Sequence, residues 1–347
     1  MFDNYDKTIS DNLSVLKITA LWAFSESALG GILHALTIPF RGLFINAAAV
    51  LFISLIALFS KSNKEILKST FIVIIIKAIV SPHTPLTAYF AVSMQGIIGY
   101  LLFLPKNNFR LSALLLGIFT LFFSGIQKII ILTVLFGNTL WNSFNIFIQQ
   151  ISNEFLSLGI HSDVNYGYVL IFLYIALHVA AGIITGFYTG LLPKKVQFYS
   201  RQIPEMVLEI SEESIPKKDK KGKKKNWIMR PTGIIIISVS LAVIILSYVS
   251  PSLKNNVALE IIIMLIRSIL LTIIWYFLLA PFVKKLFQKY LLGKKIFYSQ
   301  EIDLIINMFP QFRKIVAYCW KSSSTKTGLK RLHYFFSTSF YYLLLYK

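Results

Sequence analysis

Eight apolar runs, each expected to cross a bilayer, occupy most of this chain: 18–38, 42–60, 66–80, 86–104, 111–136, 168–192, 232–250 and 257–282. In lipid the backbone must satisfy its own hydrogen bonds, which leaves only helices or closed barrels. A barrel strand alternates polar and apolar residues, and Ile72-Val73-Ile74-Ile75-Ile76 and Ile234-Ile235-Ile236-Ile237 do not. β-branched residues are poor helix formers in water, but apolar length overrides that propensity in a membrane. The expected fold class is therefore all-α: a polytopic integral membrane protein with eight transmembrane helices, a six-helix bundle plus two.

Composition agrees. Of 347 residues 56% are hydrophobic and 14% charged, with a mean hydropathy of +0.67. A water-soluble domain of that make-up would expose large apolar patches. The formal charge of +20 suggests nucleic acid, but most Lys and Arg lie outside the runs, in a linker and a C-terminal tail. Basic segments beside a membrane are drawn to anionic lipid of the cytoplasmic leaflet, so lipid is the expected partner and nucleic acid is not. The single cysteine, Cys319, excludes an intrachain disulfide framework and a paired-thiol metal site. Residues 1–16 are polar and the first run lacks a basic n-region, so no cleavable signal is expected.

Positive charge sets the orientation. Lys61, Lys64 and Lys68 fall between runs two and three, Lys106 and Arg110 between four and five, and Lys194, Lys195 and Arg201 after six. These connections are expected in the cytoplasm of a bacterial cell with an inner membrane. Opposite them lie Arg41, the segment Ser81-Pro82-His83-Thr84-Pro85, the Lys- and Arg-free stretch 137–167, and Lys254. Eight spans then leave both termini inside. The expected divisions are a bundle at 1–195, a basic cytoplasmic linker at 196–230, a two-helix membrane hairpin at 231–283 and a basic amphipathic tail at 284–347. The linker run from Lys217 to Lys225 has too little apolar surface to fold. The tail carries twelve Lys and Arg against Glu301 and Asp303, interleaved with aromatics, which predicts short amphipathic helices on the inner leaflet or on a partner. Within the bundle, Trp141, Phe144, Ile148, Ile151, Phe155 and Leu158 follow three- and four-residue steps and predict an outer amphipathic helix over 139–158.

The ionisable residues that the reading singles out lie in the first six runs. Glu26, His34, Lys77, Lys128 and His178, with Gln95, occupy depths where an unpartnered charge is costly. Glu26 with Lys128 is the preferred ion pair, and Trp22, Tyr89 and Trp141 are candidates for an apolar wall. Polar groups on several helices, biased to the outer half, suggest a pocket for a small polar or charged molecule. A buried structural pair without a ligand is the alternative. The histidines His34, His83 and His178 lack zinc-site spacing, no metal or cofactor is expected, and phosphate-binding glycine loops are absent. The chain is not expected to be an enzyme. On run one, Ala23, Ser27, Gly31 and Ala35 recur every fourth residue, a bare ridge for packing within the chain or for docking a separate membrane subunit.

With that small-residue row, six helices and an outward polar pocket, residues 1–195 resemble the substrate-capturing S components of energy-coupling-factor transporters. The resemblance implies that Ala23, Ser27, Gly31 and Ala35 dock a transmembrane coupling subunit, itself joined to ATPase subunits. It also implies uptake of a vitamin-like small molecule, held by Glu26, His34, Lys77, Gln95, Lys128 and His178. Residues 196–347 have no counterpart in a typical S component. The alternative reading is a non-transporting membrane scaffold whose basic tail recruits proteins or anionic lipid.

Overall fold

The structure is a computed structural model that describes residues 14–29, 40–81, 84–105, 108–155, 164–200 and 257–345. All regular structure among them is helical. Helix α1 covers 14–24 and continues into a π-helical turn, Ser25–Leu29. It is followed by α2 (Arg41–Phe59), α3 (Lys64–Val80), α4 (Leu86–Phe103), α5 (Phe109–Phe136), α6 (Asn138–Phe155), α7 (Tyr166–Gly190) and α8 (Leu192–Ser200). After the undescribed segment come α9 (Val257–Ile274), a second π turn (Trp275–Leu279), α10 (Ala280–Phe297), α11 (Ser299–Ser322) and α12 (Gly328–Leu345).

Four of these helices, α2, α4, α5 and α7, are long and apolar enough to cross a membrane. Helix α3 has 17 residues and carries Lys64, Lys68 and Lys77, and α9 contributes the shorter apolar stretch Ile262–Ile274. The second half of run one and all of 232–250 lie outside the described residues. The expected boundary near 283 falls inside continuous helix, because α9, its π turn and α10 run on without a break. The tail helices α10, α11 and α12 have 18, 24 and 18 residues, longer than short amphipathic pieces.

By contacts the chain divides into two compact units: Met1–Ser124 with His178–Glu213 and Leu291–Lys347, and Gly125–Leu177 with Ser214–Tyr290. In the first, α2, α3 and α4 pack on one another and the π turn of α1 packs on α2 and α3. Ile18, Ile53, Ile56, Ile66, Ile75 and Ile76 are fully shielded and form its centre. Thr70 and Ile53 side chains sit against the bare backbone of Gly96 and Gly99, which brings α4 close to α3 and α2. Helices α5 and α7 meet through glycine as well. Gly182-Ile183-Ile184-Thr185-Gly186 is a small-xxx-small ridge, and an added Cβ on Gly182 would lie 2.6 Å from the Gly117 carbonyl oxygen. On Gly186 it would lie 2.7 Å from Leu114 Cα. Outward, α7 presents Tyr168, Phe172, Leu173, Ile184 and Phe187, each more than half exposed. Such a face suits hydrocarbon and not water.

In the second unit α6 packs on α9. Its Trp141 indole donates to Thr133 Oγ1 at 3.0 Å, and Asn145 Oδ1 accepts from the Tyr166 amide at 2.8 Å. The α5–α6 junction is Gly137, at φ 69, where the chain reverses in the left-handed region that glycine enters without strain. Its carbonyl neighbour Phe136 receives the Arg267 guanidinium of α9.

Candidate functional site

Helices α1 and α3 are joined along one seam by two polar contacts. Thr19 Oγ1 lies 2.8 Å from Ser69 Oγ, and Lys77 Nζ donates to Glu26 Oε2 at 2.6 Å. The residue separations are 50 and 51, so the two helices run parallel. Two parallel helices need one antiparallel crossing between them, and α2 supplies it.

The pair is enclosed: the side chains of Lys77 and Glu26 are 7% and 2% exposed. Lys77 stands in the last turn of α3, where the helix dipole favours a cation. Glu26 stands in the π turn, a local widening of the helix often found at functional sites. Its second oxygen, Oε1, has no protein hydrogen-bond partner, and neither have Trp22 Nε1, Ser25 Oγ and Ser27 Oγ. All four residues are buried on six successive positions of one helix. Chemically the cluster offers a carboxylate acceptor, an indole donor and two hydroxyls beside a fixed ammonium. Buried polar groups are normally paired, so four unpaired ones along one stretch of helix leave hydrogen-bonding capacity that water or a polar guest could take up.

The expected Glu26–Lys128 pair is corrected: Glu26 is held by Lys77, and Lys128 is exposed on α5, in the other compact unit. Gln95 is buried, but its amide donates to Asn46 Oδ1 at 2.6 Å. Asn46 in turn donates to Ser124 Oγ at 2.9 Å, so these polar groups bind α2, α4 and α5 together apart from the pair. His178 is buried on α7. His34 and His83 lie outside the described residues, as do Gly31 and Ala35 of the docking row. The other two, Ala23 and Ser27, are buried. Of the wall candidates, Trp22, Tyr89 and Trp141 are all buried.

Two participants, Ser25 and Arg267, escape the sequence reading, and Ser27, read there as part of the docking row, joins the buried cluster. Ser25 and Ser27 flank Glu26 in the π turn, which no sequence pattern announces. Arg267, in run eight, corrects the restriction of informative ionisable residues to the first six runs: it is 5% exposed and serves the end of α5. A basic residue within an apolar run was the available signal.

At the opposite end of α3, about 14 Å of helix from Lys77, a cleft of about 870 Å³ is lined by Lys64, Lys68, Phe71, Tyr100, Phe297 and Glu301, among others. Lys68 and Glu301 meet there at 2.9 Å. Among the described residues no cluster of His, Cys, Asp and Glu has the makings of a metal site.

Fold and site together define an all-α protein with four helices able to cross a membrane and a buried acid–ammonium pair between two parallel helices. Protein-family models, curated proteins and solved structures yield no match to this chain.

Proposed function

We propose that the chain is a membrane-embedded binding subunit for uptake of a small polar molecule, taken at the α1–α3 seam. The observation that carries this reading is the group of unpartnered atoms Trp22 Nε1, Ser25 Oγ, Glu26 Oε1 and Ser27 Oγ beside the Glu26–Lys77 pair. Lys77 holds one carboxylate oxygen of Glu26, Glu26 Oε1 accepts an N–H or O–H of the guest, and the indole and hydroxyls orient it. In this reading the chain has eight spans with both termini cytoplasmic, in a bacterial inner membrane. The parallel course of α1 and α3 supports that topology, since alternate spans share a direction. The chain has no nucleotide-binding motif, so movement of the guest is energised by a transmembrane coupling subunit with ATPase partners.

The alternative, a non-transporting membrane scaffold, draws on one observation: Glu26 and Lys77 already neutralise each other. Thermal unfolding of the purified chain across a panel of water-soluble vitamins, amino acids and nucleosides separates the readings. A true guest stabilises the fold by mass action, about 2.7 kcal/mol at a hundredfold excess over Kd. The binding reading expects a compound that raises Tm of the wild type and leaves Glu26→Gln unmoved. A compound that shifts both equally, or a panel without any shift, favours the scaffold.

A further inference from the structure

The last two helices form a hairpin, α11 packed on α12, whose inward residues Ile315, Cys319, Ser339, Tyr341 and Leu344 are buried. In the first half of α12, Leu329, Leu332 and Phe336 stand at i, i+3 and i+7, one stripe of the helix that ends at buried Ser339. They are 84%, 43% and 66% exposed. Trp320 of α11 is also exposed and edges Phe335, with ring centroids 5.1 Å apart. The stripe is bordered by cations. Lys321, Lys326 and Lys330 are exposed, and the Arg331 guanidinium lies 4.4 Å over the Trp320 ring. After Asp303 the chain carries seven Lys and Arg and no Asp or Glu.

We infer that the hairpin's Leu329–Leu332–Phe336 stripe docks on an anionic phospholipid surface. An acidic soluble protein or a nucleic acid satisfies the lysines but has no general reason to cover two leucines and a phenylalanine. A bilayer interface takes both at once: the apolar stripe enters the acyl boundary while headgroup phosphates meet Lys321, Lys326 and Lys330. The absence of any carboxylate beyond Asp303 removes the repulsion that such phosphates would otherwise meet. The hairpin is also tethered to helices able to cross a membrane, which places a bilayer at high effective concentration. This inference rests on the membrane reading of the chain and is independent of the guest assigned to Glu26.

The test uses the full chain with Cys319→Ser and Leu332→Cys, the new thiol carrying a polarity-sensitive fluorophore, reconstituted in vesicles. One set is phosphatidylcholine alone and the other phosphatidylcholine with phosphatidylglycerol, each with and without brominated acyl chains. Docking predicts blue-shifted emission and bromine quenching in the anionic vesicles, both reduced by salt. Lys326→Gln and Lys330→Gln are each expected to lower the docked-to-free ratio about fivefold. Leu329→Cys provides a second label position if Leu332→Cys disturbs folding. Emission that is unquenched in both vesicle types overturns the inference. So does quenching that ignores lipid charge, or a label that responds only to added RNA or polyglutamate.

Discussion

Glu26 and Lys77, 51 residues apart in sequence, meet at 2.6 Å inside the helical bundle, with the lysine ending one helix and the acid opening a π turn on another. Removing one partner leaves the other charged and enclosed, whereas removing both leaves none. Lys77→Met alone is expected to destabilise the fold by about 3–5 kcal/mol, and Glu26→Gln with Lys77→Met to recover most of that loss. Thermal unfolding in detergent reads both. Additive effects of the two substitutions speak against a coupled pair.

The α5–α7 contact depends on absent side chains. Gly186→Leu is expected to cost at least about 1–3 kcal/mol, because the new atoms meet backbone and not a yielding side chain. Gly293 in α10 has open space around its Cα, so Gly293→Ala is expected to stabilise the helix by about 0.5–1 kcal/mol. A pair of melting curves decides it. Equal shifts for the two substitutions contradict the packing described.

Arg267 closes the carbonyl end of α5 at Phe136. Loss of a hydrogen bond from a charged donor at a buried site costs about 1.5–3 kcal/mol, and Lys lacks the planar fork that reaches it, so Arg267→Met and Arg267→Lys are both expected to weaken this junction. Gly137→Ala adds strain at φ 69 and crowds the same guanidinium. Hydrogen exchange of the amides from 133 to 141 reports the change. Unaltered protection there in Arg267→Met shows that the contact carries no stability.

Burial opposes ionisation of Glu301, but the hydrogen bond and charge of Lys68 outweigh it and hold its carboxyl below the ordinary 4.5. The contact therefore contributes fully above that ordinary value and is lost as pH falls through the lower folded one. It is partly exposed, so its worth is no more than about 1 kcal/mol. The first turn of α11 is expected to exchange amide protons faster in Glu301→Gln at neutral pH. In the wild type, acidification below the folded value is expected to bring the same loosening, to which the variant no longer responds. A wild type and variant that loosen in step exclude this latch.

The site was half legible. Glu26 and Lys77 announce themselves as ionisable residues in apolar runs, and both belong to the buried cluster. Their pairing was not legible, since depth along a span follows from residue count but rotation about the helix axis does not. Lys128 has a suitable depth and faces outward; Gln95 has a suitable depth and turns to Asn46, which no pattern singled out. The serines beside Glu26 lie in a π turn, a change of one residue in hydrogen-bond spacing that leaves no compositional trace.

The amino-acid order alone determined that this protein is helical and that several of its helices suit a membrane, because apolar length and the need to pair every backbone amide act locally, residue after residue. Which faces met was decided only in three dimensions. Glycine at 117, 182 and 186 permits an approach that packing must choose, a lysine from α3 rather than one from α5 reaches Glu26, and a long helix runs straight through the expected boundary at 283. Those outcomes depend on the mutual rotation of helices, which is fixed by the sum of many weak side-chain contacts between distant parts of the chain.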